Sequence, residues 1–82
     1  MKREDARKLV IDKLTTVAPE IEGEEIEPDT TFRDQFELDS MDFLNFITAL
    51  HDATGLDFPE EDYDQLWTLN GAADYIVAHT GD

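Results

Sequence analysis

The 82-residue chain contains no cysteine. Disulfide bonds, thiolate metal sites and a cysteine nucleophile are therefore excluded from its own chemistry. Any thiol chemistry would need a thiol that a cofactor supplies. The chain also lacks an apolar run long enough to span a membrane, and its first residues do not form the apolar stretch of a signal peptide. We therefore expect a soluble, cytoplasmic protein that does not insert into a membrane.

Basic residues are scarce after the first thirteen positions. The formal net charge is -15, from 21 acidic and 6 basic residues. Arg33 is the only Lys or Arg after Lys13, and none occurs from Asp34 to Asp82. Such a surface repels nucleic acid and anionic membranes, and it attracts basic partners. We expect no nucleic-acid partner, and we expect partner enzymes that carry basic docking patches.

Apolar periodicity predicts three longer helices. The first spans residues 3–17, where apolar side chains recur at intervals of three and four. The second, central helix spans residues 40–54 and is ended by Gly55. The last follows Thr68, whose side chain can cap it.

The remaining segments are a long loop and a short helix. Residues 19–38 form the loop, and Asp29-Thr30-Thr31 is predicted to start a short helical turn within it. Four apolar side chains along the loop are expected to anchor it to the core: Ile21, Ile26, Phe32 and Phe36. Pro59 suits the first position of a short third helix, from Glu60 to about Leu66.

These elements together predict an all-α protein. The expected architecture is a four-helix bundle with three longer helices, one short third helix and a long first loop. No segment alternates with period two for long enough to propose a sheet. The length of the chain suits one domain over residues 1–82 with a small core.

The central helix carries apolar side chains on two sides. At about 100° per residue, the side chains assigned to the core fall on one side: Phe43, Phe46, Ile47 and Leu50. Met41, Leu44 and Thr48 fall roughly 140° away on the other side. We predict that this second side, with Asp39, Asp42 and Asp52 as its acidic rim, is a docking surface for partner enzymes. Scattered exposed apolar residues are the alternative explanation.

The pair Asp39-Ser40 stands at the start of the central helix. Both residue types accept hydrogen bonds from the unpaired N–H groups of a helix N-terminus, so a plain helix cap explains the pair locally. No His or Lys is adjacent to Ser40 in sequence, and no G-x-S-x-G elbow surrounds it. We therefore predict no catalytic residue and no enzyme activity. His51 and His79 lack ligand spacing, so we predict no metal site.

The sequence around this pair resembles the acyl carrier proteins over nearly the whole chain. The resemblance is carried by these positions, in order: Phe32, Asp39-Ser40-Met41-Asp42, Phe46, Ala49-Leu50, Phe58-Pro59-Glu60-Glu61, Thr68, Ala72 and Asp74-Tyr75-Ile76. It implies that a phosphopantetheinyl transferase attaches 4'-phosphopantetheine from coenzyme A to Ser40. It also implies a monomeric phosphoprotein whose arm carries acyl groups as thioesters, in fatty acid or polyketide biosynthesis. Its further partners would be acyl-transfer, ligase or synthase enzymes.

Four positions depart from the family's pattern. Glu37 stands where many carriers have Gly, and Phe36 stands where Leu is usual; Asn45 and His51 replace acidic residues of the central helix. These departures favour a specialised carrier over the housekeeping carrier of fatty acid synthesis. Two alternatives stay open. One is an aminoacyl or D-alanyl carrier, which Leu38-Asp39-Ser40-Met41 also resembles, and the other is an unmodified acidic interaction module of the same fold.

Overall fold

A computed structural model of the chain describes residues 1–80. Its helical segments are, in order, α1 (Arg3–Val17), a 3₁₀-helix (Pro19–Ile21), α2 (Phe32–Phe36), α3 (Ser40–Thr54), a second 3₁₀-helix (Glu60–Leu66) and α4 (Leu69–Thr80). α1 contacts both α3 and α4, and α4 contacts the second 3₁₀-helix. The predicted all-α bundle is confirmed. The last two residues of the domain expected over 1–82 lie outside the described residues.

α1 and α3 begin and end where the apolar periodicity predicted. α1 buries one stripe of side chains, Ala6, Val10 and Leu14. α3 is ended by Gly55, whose φ of 74° is left-handed and whose N–H donates to the His51 carbonyl oxygen at 2.8 Å. Glycine adopts this conformation without the clash that a Cβ would cause. Local sequence therefore determines the length of both helices.

The core is one continuous apolar cluster that all the longer helices share. Its largest fully buried side chains are Phe32, Phe46, Leu14, Leu50, Leu66, Ile76 and Val10. Burial of each such side chain favours folding by roughly 1.5–3 kcal/mol. The expected anchors of the long loop are confirmed, since Ile21 is buried and Ile26 and Phe36 pack against the cluster. The loop is thus held to the bundle along its length.

The short helix α2 begins directly after the three residues predicted to start it. Thr31 is its cap, because the Thr31 hydroxyl oxygen accepts a hydrogen bond from the Asp34 N–H at 3.1 Å. The Gln35 side chain of α2 donates hydrogen bonds to two carbonyl oxygens of the loop before the helix, those of Glu27 at 3.0 Å and Thr30 at 2.8 Å. These hydrogen bonds fix the segment that leads to α3, at whose start the pair Asp39-Ser40 lies.

The third helix has its predicted range but 3₁₀ geometry, and Pro59 precedes it as the cap instead of being its first residue. The Tyr75 hydroxyl of α4 donates to Asp62 Oδ2 at 2.8 Å. Burial, and then this bond to Asp62, raise the pKa of Tyr75 to about 12.

α4 begins with the cap that the sequence predicted. The Thr68 hydroxyl oxygen accepts a hydrogen bond from the Gly71 N–H at 2.9 Å. A Cβ at Gly71 would collide with the Gln65 carbonyl oxygen, so glycine permits the close approach of α4 to the second 3₁₀-helix. None of the helices within residues 1–80 has the length and apolar character needed to cross a membrane.

Candidate functional site

Ser40 is the first residue of α3, and its side chain is exposed. The helix cap belongs to Asp39, because Asp39 Oδ1 accepts a hydrogen bond from the Asp42 N–H at 2.8 Å. The Ser40 hydroxyl forms no hydrogen bond with any residue that the structure describes. Helix capping therefore accounts for Asp39 at this position but does not account for Ser40. The hydroxyl is accessible for modification.

Two opposing electrostatic effects act at the start of α3. A helix N-terminus favours a nearby negative charge by about 0.3–1 kcal/mol when it is exposed, and an anionic group on Ser40 would gain this. Asp39 and Asp42 oppose it, since both carry negative charge on the same turn. A phosphodiester at this position would thus be favoured by the helix N-terminus and opposed by the two carboxylates.

The outer side of α3 is exposed as the helical wheel predicted. Met41 is 73% exposed and Leu44 is 50% exposed. Thr48 is exposed one turn further along, and its hydroxyl donates to the Leu44 carbonyl oxygen at 3.0 Å. Asp39 and Asp42 lie at the first turn, beside this surface. The structure therefore places the five predicted docking residues along the first half of α3 and its cap, and their use by partners stays a prediction.

Glu37 is the only non-glycine residue with positive φ within residues 1–80, at 55°. It ends α2, and its N–H donates to the Arg33 carbonyl oxygen at 3.0 Å. A residue with a Cβ in this left-handed conformation is destabilised by roughly 1–2 kcal/mol. The position is the one where many carriers have Gly. The departure noted in the sequence therefore places local strain three residues before Ser40.

A group of aromatic rings around Phe43, in the first turn of α3, was not predicted from the sequence. The Phe43 and Trp67 rings are stacked, with centroids 3.9 Å apart and planes 6° apart. Tyr63 meets Phe43 edge-on at 5.6 Å, and the Arg33 guanidinium lies 4.5 Å from the Trp67 ring centroid. Periodicity assigned Phe43 to the core, but nothing in the sequence indicated its partners.

The two histidines bond to backbone oxygens. His51 Nδ1 lies 2.7 Å from the Leu56 carbonyl oxygen, and His79 Nδ1 lies 2.8 Å from that of Tyr75. No group of three or more His, Cys, Asp or Glu side chains in the described part of the chain is arranged to hold a metal ion. The histidines therefore serve local structure, at the ends of α3 and α4.

Comparison with known proteins agrees with this geometry. The family model described as "Phosphopantetheine attachment site" matches residues 9–76. The helical fold and the family match thus define a phosphopantetheine-binding carrier domain, whose cofactor is 4'-phosphopantetheine. The chain belongs to the acyl carrier protein family. Members of this family are carriers, not catalysts, and they work with phosphopantetheinyl transferase and acyl-handling enzymes.

Three curated relatives carry the description "Acyl carrier protein". The protein of Rubrobacter xylanophilus is 32% identical over 69 residues, which is 84% of this chain and 85% of the relative. That of Lactobacillus johnsonii is 32% identical over 59 residues, 72% of this chain and 74% of the relative. That of Lactobacillus acidophilus is 31% identical over 62 residues, 76% of this chain and 78% of the relative. The similarity thus spans most of each protein.

Proposed function

We propose that the protein tethers acyl groups as thioesters on a phosphopantetheine arm attached to Ser40, and that it presents them to partner enzymes. The observation that carries the proposal is the Ser40 hydroxyl, which is exposed and free of hydrogen bonds to the described residues at the start of α3. The arm supplies the thiol that a chain without cysteine lacks. Family membership supports the same chemistry.

The chain's own contribution to attachment is positional. Asp39 caps α3 and so holds the first turn, on which Ser40 projects into solvent. Ser40 Oγ would attack the phosphorus of coenzyme A that bears the pantetheine arm, lose its proton to a base of the transferase, and release the nucleotide portion. No hydrogen bond joins Ser40 to a basic side chain in residues 1–80, so the transferase must supply that base. In this proposal the protein is the substrate of the transferase and serves as a carrier, not as an enzyme.

The docking surface consists of Asp39, Met41, Asp42, Leu44 and Thr48. Its two exposed apolar side chains offer anchors for an apolar slot, and its acidic residues suit Arg and Lys around that slot. The overall charge of -15 steers basic partners toward the protein. We propose that the transferase and the enzymes that load and unload the arm, whether acyltransferases, ligases or synthases, dock here.

The enzyme that loads the arm determines which cargo the protein carries and in which pathway it acts. We propose a specialised, monomeric, cytoplasmic carrier of fatty acid, polyketide or related synthesis, because Glu37, Asn45 and His51 change the surface around the site relative to the family pattern. An aminoacyl or D-alanyl carrier would use the same arm on the same residue. Incubation of the modified protein with candidate acyl and aminoacyl ligases distinguishes the two, since only the matching ligase adds its cargo mass.

The test of attachment is incubation with coenzyme A and a broad-specificity transferase, followed by intact-mass measurement. We expect the mass to increase by one phosphopantetheine, and Ser40→Ala to abolish the increase while its circular dichroism is unchanged. Thr15→Ala is the matched control, because it removes a hydroxyl from α1 and should leave the increase intact. A well-folded wild-type sample that gains no mass would contradict the proposal and favour the unmodified interaction module.

A further inference from the structure

Aromatic rings pack on the buried side of the first turn of α3, one turn from Ser40. Phe43 follows Ser40 by one helical turn, so the two residues are neighbours on the helix surface. Phe43 is buried, and its ring is stacked on Trp67 with centroids 3.9 Å apart. Tyr63, on the second 3₁₀-helix, meets the same ring edge-on at 5.6 Å. We call Phe43, Tyr63 and Trp67 the aromatic wall.

The wall is held in place from several elements. The Trp67 carbonyl oxygen accepts a hydrogen bond from the Phe32 N–H at 2.7 Å, which ties Trp67 to the start of α2. Arg33, also on α2, places its guanidinium 4.5 Å from the Trp67 ring centroid. Phe43 further contacts Phe46 in the core, at 6.2 Å between centroids. Separating the rings would therefore disturb α2, α3 and the segment 60–67 together.

An apolar cargo on the arm would gain free energy by leaving water, provided that the domain offered it space. Protein interiors are close-packed, and extra methylene groups force neighbouring side chains out of their rotamers. Between the first turns of α3 and the segment 60–67, that space is filled by the three rings. A chain that entered the domain next to Ser40 would have to displace them.

One depression beside the wall is lined mostly by polar residues. Trp67 shares an open depression with four polar side chains, Thr31, Arg33, Asp34 and Asp64. Such a lining offers hydrogen-bond donors and acceptors, and its apolar part is too small to cover a long alkyl chain. It suits a short or polar cargo better than a long alkyl chain.

We propose that the aromatic wall keeps the cargo outside the helical domain, so that this protein carries short or polar acyl groups that need no shelter in its core. This inference rests on the proposed function, because it assumes an arm on Ser40. It adds to that function a group of residues that determines which cargo the arm can carry. The wall's residues are Phe43, Tyr63 and Trp67, and none of them lies on the docking surface.

The test uses the protein loaded with acetyl-, hexanoyl- and octanoyl-phosphopantetheine, made from the three coenzyme A thioesters with a broad-specificity transferase. Intact mass checks the loading. We expect the three forms to have the same melting temperature. We also expect hydroxylamine to cleave the three thioesters at equal rates, matching those of the free coenzyme A thioesters, because no chain is drawn into the protein.

Variants that remove one ring make the role of the wall measurable. Tyr63→Ala and Trp67→Ala are suitable because both side chains are half-buried, whereas Phe43 is buried and its loss endangers folding. In each variant we expect the octanoyl form to melt at a higher temperature than the acetyl form, and its thioester to resist hydroxylamine. Comparing two forms of one variant cancels any general destabilisation. Ile11→Ala, on α1, is the control and should show no effect of chain length.

The failures of this inference and of the proposed function are distinguishable. If the wild-type protein accepts all three cargoes but its octanoyl form melts higher and resists hydroxylamine, the cargo enters the domain and the inference is wrong while the carrier function stands. If neither ring variant responds to chain length, the wall is not what excludes the cargo, and the inference is again wrong. If no cargo can be attached, the proposed function fails and this inference fails with it.

Discussion

The two apolar sides of α3 have opposite surroundings. The inner side is buried, and its residues are Phe43, Phe46, Ile47 and Leu50. On the outer side, Met41 is 73% exposed and Leu44 is 50% exposed. A helix in a small domain needs only one apolar side to build its core. The comparison teaches that the apolar residues of one helix can stabilise the fold on one side and remain available to partners on the other. Ser40 lies at the N-terminal end of the helix, where both sides begin.

The largest effect is expected on the inner side. Phe46→Ala removes a fully buried ring that contacts Phe32 and Phe43, and it should lower the free energy of unfolding by about 3–5 kcal/mol. Urea denaturation followed by circular dichroism measures this. Leu44→Ala, on the outer side, should change it by less than about 0.5 kcal/mol. Equal losses in the two variants would show that the sides do not differ as described.

On the outer side, the expected effect is on partners and not on folding. Met41→Glu or Leu44→Glu should leave the melting curve intact and reduce the kcat/KM of the transferase by roughly tenfold, the loss typical of an interface anchor. Ile11→Glu is the matched control, since Ile11 is an exposed apolar residue on α1. An equal reduction with Ile11→Glu would mean that added charge alone is responsible, and unfolding of the α3 variants would mean that the sides are wrongly assigned.

A smaller effect is expected where the two sides meet, at the first turn of α3. Asp39→Ala removes the cap on the Asp42 N–H and should lower the free energy of unfolding by about 1 kcal/mol. Asp39→Asn keeps a capping oxygen and loses only the charge, so most of that stability should return. Paired urea titrations separate the two contributions. If Asp39→Asn proved as destabilising as Asp39→Ala, the effect would belong to the charge and not to the cap.

The smallest effect is expected just before α3, and it is a gain. Glu37→Gly relieves the strain of a positive φ and should raise the free energy of unfolding by about 0.5–1 kcal/mol, after the greater chain entropy of glycine is subtracted. Glu37→Ala removes the same carboxylate but keeps a Cβ, so it should bring no comparable gain. Thermal melting at fixed ionic strength compares them. A gain of the same size with alanine would point to charge repulsion and not to backbone strain.

Local patterns predicted much of this molecule, and distant contacts explain what they missed. The bounds of α1 and α3 follow from apolar spacing together with Pro19 and Gly55. The stacking of Trp67 on Phe43 joins residues far apart in the chain, which periodicity does not relate. Periodicity also did not distinguish the 3₁₀ geometry of the third helix from an α-helix.

The candidate site shows the same division. The motif and the resemblance singled out Ser40, but both Asp and Ser are common helix caps. Only the folded structure distinguishes their roles, because Asp39 accepts the capping bond and the Ser40 hydroxyl has no partner among the described residues. The strain at Glu37 was likewise hidden, since the sequence indicated a replaced glycine and not the conformation that the position adopts.

The proposed function depends on the exposed hydroxyl at the head of α3. Its most direct test is fragmentation mass spectrometry of the protein after incubation with coenzyme A and transferase, which locates the added group on a single residue. We predict that every modified molecule carries one phosphopantetheine and that it lies on Ser40. Modification at another hydroxyl, or an unmodified Ser40 in a folded and fully incubated sample, would contradict the carrier function proposed for this protein.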